Sequence, residues 1–155
     1  MIMRSILDLV GRALRCSSGT ASIEAVLVLP VSIALMAGGT EFARGFSHYS
    51  TADKAMRGAA RYLARVPEDA ICSWGLNNAR NLAVYGKLVP GGADPLIPGW
   101  TTDTVTSPTC DGAFPAEIVI QLQTSLPFTF EMLSAVGLSN EITINVKHEE
   151  RHIGD

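Results

Sequence analysis

Three groups of residues in this chain have types and spacings that could do chemistry. His148, Glu149 and His152, in the run HEERH, match H-E-x-x-H, the pattern in which a helix presents two zinc-binding imidazoles one turn apart and a Glu activates water. Cys72 and Cys110 could close a disulfide in an oxidising compartment. Glu24 is a lone carboxylate in SGTASIEAVLVLP, residues 18–30, near the start of an otherwise almost purely apolar run. Burying a carboxylate there is expensive unless a cation stands beside it, so Glu24 asks for a named partner.

The elements around each group decide which chemistry is open to it. HEERH directly follows EITINVK, in which Ile142, Ile144 and Val146 alternate with Thr143, Asn145 and Lys147, the period of a half-buried strand. Residues four apart in a strand share a face but stand ~13 Å from each other, too far to share one ion. Catalytic zinc needs three protein ligands, and the remaining histidine, His48, belongs to a distant helical stretch. The run therefore reads as a charged, solvated strand end, and no metal or other cofactor is expected. The chain has no G-x-G-x-x-G, no Walker A sequence and no G-x-S-x-G, and VPGGADPLIPGW lacks the Lys-Ser/Thr that a phosphate loop requires. A non-enzymatic protein without a small-molecule substrate is the expectation; a periplasmic H-E-x-x-H hydrolase is the alternative from another class.

The setting of Glu24 points to a membrane. Hydrophobic residues make up 47% of the chain and charged residues 17%, against ~25% charged in an average soluble domain. The excess is local, since Ala25 to Thr40 carries no charge and Thr20 to Thr40 carries only Glu24. At ~1.5 Å per residue this run reaches ~31 Å, the thickness of a bilayer's hydrocarbon layer. Arg4, Arg12 and Arg15 precede it against a single Asp8, which keeps the N-terminus cytoplasmic and sends the remainder outward. Pro30 bends such a helix without breaking it. A cleaved secretory signal is the rival reading, but its apolar core is usually 7 to 15 residues long, and this run is longer and contains Glu24.

The helical pattern continues beyond the run. In EFARGFSHYSTADKAMRGAARYLAR, Phe42, Phe46, Tyr49, Met56, Ala60 and Leu63 recur along one stripe, with Arg44, Lys54, Arg57 and Arg61 largely off it, until Val66 and Pro67 end the pattern. One helix over 20–65 would be ~69 Å long, half in lipid and half packed on a globular head, which is the outline of a pilin-like subunit.

Four steps within residues 18–66 carry a family resemblance: Ser22 to Ala25 (SIEA), Leu29 to Val31 (LPV), Glu41 to Arg44 (EFAR) and Ala59 to Arg61 (AAR). Together they resemble the N-terminal signature of the TadE-like proteins of tight-adherence, or Flp-type, pilus systems. The resemblance implies a minor pseudopilin or assembly component anchored in the bacterial inner membrane, with an uncleaved bitopic scaffold of the same apparatus as the alternative. It further implies cleavage by a prepilin peptidase between Gly19 and Thr20, which would leave Glu24 as the fifth residue of the mature chain. The new amine of Thr20, or that of a neighbouring subunit, would then be the cation that Glu24 needs and would set its register in an assembly. Other pseudopilins, the pilin and platform proteins are the implied partners.

The domain plan that follows is a basic leader over 1–19, a transmembrane helix over 20–41, its periplasmic continuation over 42–66, and a small head over 67–155. DAICSWGLNNARNLAVYG predicts a second helix, capped by Asp69 and stopped by Gly86. Residues 87–115 hold most of the prolines and read as a long irregular loop. AEIVIQLQTSLPFTF and NEITINVKHEER predict antiparallel strands, with a helical turn in EMLSAVGLS between them, so the fold class is α+β. Cys16 belongs to the leader, while Cys72 and Cys110 both fall on the outer side and are the expected disulfide. Residues 1–19 hold three Arg and one Asp; without them nine basic residues face fourteen acidic ones, a net charge of −5 that disfavours nucleic acid.

Overall fold

The computed structural model describes residues 18–110, 118–132 and 141–154. Its first element, α1, is an unbroken helix over Ser18–Leu63 that contains Pro30. The chain divides into two units, one ending at Thr40 and one beginning at Glu41. In the first, Val26, Leu27, Leu29, Val31, Leu35 and Met36 are all exposed. A helix that is apolar all round and covered by nothing is suited to lipid rather than water. Pro30 removes one backbone donor, and Ser32 turns its hydroxyl back onto the Val28 carbonyl at 2.9 Å.

The second unit is an α+β head built on the rest of α1. Ala52, Met56, Ala59, Ala60 and Leu63 are fully buried and join one hydrophobic cluster with Ile71, Ala79, Ala83 and Val84, with Ile97 and Trp100, and with Ile120, Leu122, Leu126 and Val146. Alanines at five of these positions put little side chain between the elements. The sheet has the order β1-β2-β3 with both pairings antiparallel, where β1 is Val105–Thr106, β2 is Val119–Thr129 and β3 is Glu141–Arg151. Along β2 every second residue from Ile120 to Phe128 is buried, as its alternation requires. The β2–β3 register joins Val119 to Arg151 and Thr129 to Glu141. Although β1 is two residues long, the loop continues its work: Ser107 donates to the Gln121 carbonyl, and the Thr109 hydroxyl donates to Val119 and accepts from the Gln121 amide.

Three expectations need correction. The stripe along the outer half of α1 is buried only from Ala52 onward; Phe42, Phe46 and Tyr49 are exposed, because the head's cover stops short of them. The second helix is not one element from Asp69. A 3-10 turn over Glu68–Ala70 and a wide turn over Ile71–Gly75, broken at Ser73 (φ −112°, ψ −113°), precede α2 proper at Leu76–Tyr85, and no side chain caps the Glu68–Ala70 turn. The backbone is tightly packed here: a Cβ on Gly75 would stand 2.7 Å from the Ala70 carbonyl oxygen and 2.8 Å from Val66 Cγ1. Gly86 ends α2 in the left-handed conformation (φ 68°), donating to the Leu82 carbonyl. Finally, the stretch expected as one long irregular loop is interrupted by β1 and by 3-10 turns over Thr102–Thr104 and Pro108–Cys110. Trp100 is buried and donates its indole N–H to Thr124 Oγ1 at 3.1 Å.

Of the turn expected in EMLSAVGLS, Glu131 and Met132 are helical and the remainder lies outside the described residues, as do the leader up to residue 17 and residues 111–117.

Candidate functional site

Gly19 and Thr20 both lie within α1, so the peptide bond between them has helical backbone on both sides. Glu24 is exposed on α1 one turn beyond Thr20, ~6 Å along the axis by helix geometry. Among the described residues no ion pair includes Glu24. The arrangement leaves this acid free for a cation that the folded chain does not itself supply from its described part.

A second acid was not singled out by sequence reasoning. Glu41, assigned by its charge to the outer end of the apolar run, is buried to 2% exposure at the start of the head. Its Oε2 accepts from Arg44 Nη1 at 2.9 Å, and its Oε1 accepts from the Met132 backbone amide at 2.6 Å. The other Arg44 nitrogen, Nη2, reaches Glu131 Oε1 at 2.9 Å, and the guanidinium lies 5.4 Å from the centre of the Phe128 ring. Phe128 in turn meets His48 and Phe130 edge-on, at 5.5 and 5.3 Å. Charge-assisted hydrogen bonds at this distance repay the desolvation of a buried carboxylate when its oxygens are all engaged. The pair from the EFAR step therefore fastens the exit of β2 to α1. The sequence signal was present in the i,i+3 spacing of Glu41 and Arg44, but the partners stand some ninety residues away.

Cys72 and Cys110 are joined by a disulfide with Cα atoms 5.5 Å apart, across a sequence separation of 38. It ties the turn before α2 to the end of the loop that flanks β2. The two histidines of HEERH serve different neighbours. His148 lies in β3 opposite Leu122, with Nε2 3.5 Å from Glu150 Oε1. His152 follows the strand, and its Nε2 stands 2.9 Å from the carbonyl of Val66, three residues beyond the end of α1. Among the described residues no three His, Cys, Asp or Glu side chains gather as metal ligands.

The first forty-odd residues of α1 and the pair that locks its outer half thus form one continuous stretch of sequence. Residues 19–61 match the family model of TadE-like proteins. The TadE-like segment begins at Gly19, contains Glu24, Pro30, Glu41 and Arg44, and ends at Arg61, one residue before Tyr62 and two before the helix stops. The disulfide, Trp100 and the three strands lie beyond it. No curated protein and no solved structure matches the chain. Within the TadE-like segment, α1 from Ser22 onward is long and apolar enough to cross a membrane.

Proposed function

We propose that this chain is a non-enzymatic, membrane-anchored pseudopilin or assembly component of a tight-adherence (Flp, type IV-like) pilus system. The observation that carries the reading is the coincidence of the TadE-like match with the one membrane-length apolar helix among the described residues. On this reading α1 is fixed in the bacterial inner membrane with the basic leader over 1–19 in the cytoplasm and the α+β head in the periplasm. A prepilin peptidase cuts between Gly19 and Thr20 after opening the helical backbone there. The amine so created lies one turn from Glu24, either within a subunit or between neighbours, and the pair offsets the desolvation of both charges. The head docks on other pseudopilins, the pilin or the platform, and the disulfide suits an oxidising periplasm.

The second reading is an uncleaved bitopic scaffold of the same apparatus, in which Gly19 and Thr20 keep the helical backbone they have in α1. The mass of the protein recovered from membranes separates the two. A chain starting at Thr20 supports the pseudopilin, and an intact leader supports the scaffold. A soluble chain starting near Gly38 would overturn both in favour of a cleaved signal. Loss of surface pili on deletion of the gene, restored by the wild-type copy, tests the assignment to the pilus system itself.

A further inference from the structure

Two elements of the head lose their cover toward the same end. On α1 the exposed side chains Phe42, Phe46 and Tyr49 (75%, 63% and 47% exposed) continue the stripe that is fully buried at Met56, Ala60 and Leu63. Phe42 and Ala60, about five turns apart, point the same way from the helix axis. On β3 the inward face goes from buried Val146 through half-buried Ile144 to exposed Ile142. Between them lies an open apolar groove of about 330 Å³, whose floor includes Gly45, Phe128 and Phe130. Large exposed apolar side chains gathered in one patch mark a contact surface.

What covers this surface follows from charge and position. The first charge after the uncharged run is Glu41, and it is withdrawn from the surface by Arg44 and the Met132 amide. Phe42 stands two residues after Thr40, so the stripe is the direct continuation in sequence of the apolar run. It ends at Tyr49, after which the exposed side of α1 turns ionic with the Asp53–Arg57 pair at 3.0 Å and Lys54. Aromatic residues with charges just beyond them, at the end of an apolar helix, are the composition that settles at the boundary of headgroups and acyl chains. We infer that the Phe42–Phe46–Tyr49 ledge, with Ile142, rests in the interfacial layer of the phospholipid bilayer, so that the head is partly seated in the membrane rather than held clear of it. This rests on reading the first half of α1 as a membrane span.

The test places p-benzoylphenylalanine, one position at a time, at Met36, Phe46 and Val89 in the full chain, reconstituted in vesicles of phosphatidylethanolamine and phosphatidylglycerol. All three side chains are exposed, so none of the substitutions disturbs the core, and Val89 is an exposed apolar residue away from the ledge. After irradiation, mass spectrometry is expected to find lipid adducts at 36 and 46 and none at 89. An adduct at 36 without one at 46 overturns the proposal and leaves the span intact. No adduct at 36 overturns the span and the proposal with it. Cross-linking of 46 to a second copy in place of lipid overturns the proposal by making the ledge an interface between subunits, and lipid adducts at 89 as strong as at 46 overturn it by removing its specificity.

Discussion

At the scale of single residues, Glu41 carries the sharpest prediction. Its carboxylate is buried and engages two donors, so the side chain is held by electrostatics rather than by apolar packing. Glu41→Ala removes the carboxylate that the Met132 amide donates to and strips Arg44 of the buried acid it bonds, and it should destabilise the head by about 3 kcal/mol. Glu41→Gln keeps an acceptor for the amide and loses only the charge, so it should fall between the wild type and Ala. Urea denaturation of the detergent-solubilised protein followed by circular dichroism measures both; equal losses for Ala and Gln would mean that the charge carries the whole effect. Trp100 makes a contrasting case, because its indole is buried among apolar neighbours and makes one hydrogen bond. Trp100→Ala should cost about 3–5 kcal/mol, the range for removing a large aromatic from a core. Sequence reasoning found Glu24 because a charge in an apolar run is visible locally. It passed over Glu41 because what distinguishes that acid is Met132 and Glu131, which only the fold brings near.

At the scale of elements, the strands were legible and the second helix was not fully so. Alternation in IVIQLQ and in ITINV depends on the residues themselves, and the burial of Ile120, Leu122 and Val146 follows it directly. The break before α2 falls at Ser73, where the sequence pattern runs on without a helix-breaking residue, so no local signal records it. Likewise β1 is too short to signal itself, and it is a strand because Val105 and Thr106 fall beside Thr124 and Gln123. The disulfide stabilises this poorly regular part of the head. Closing a loop of this length removes chain entropy worth ~3 to 4 kcal/mol from the unfolded state. Reduction, or Cys72→Ser, is therefore expected to lower the urea midpoint of the head, with circular dichroism showing the helical signal of α1 little changed under native conditions. A second element-scale prediction concerns the junction of β3 with α1. Ile153 and Gly154 both donate to the Ala64 carbonyl, and a Cβ on Gly154 would lie 2.7 Å from the Val66 carbonyl oxygen. Gly154→Ala should thus lower the melting temperature, whereas Ile153→Ala, at an exposed side chain, should leave it nearly unchanged.

At the scale of the whole molecule, the question is what Glu24 does if α1 spans a membrane as proposed. An isolated carboxylate inside the hydrocarbon layer is disfavoured by several kcal/mol, and the described part of the chain offers it no cation. If cleavage exposes the Thr20 amine one turn away, the acid and the amine can be buried together, and the same acid can instead take the amine of a neighbour. This separates insertion from assembly. Insertion depends on the length and apolarity of α1, to which Glu24 contributes only a penalty, so Glu24→Gln should be recovered from membranes in undiminished amount. If the chain is the proposed pseudopilin, assembly depends on that pairing, and the same variant should give few or no surface pili while its leader is still removed. Membrane fractionation, N-terminal mass and a count of pili by electron microscopy read the three steps separately. Normal pili from the Glu24→Gln strain would show that register is set elsewhere, on the head or the ledge, and that the acid only marks the cytoplasmic edge of the span. A leader that persists in the variant would instead place Glu24 in recognition by the peptidase, because removal of the charge would then act before any subunit meets another.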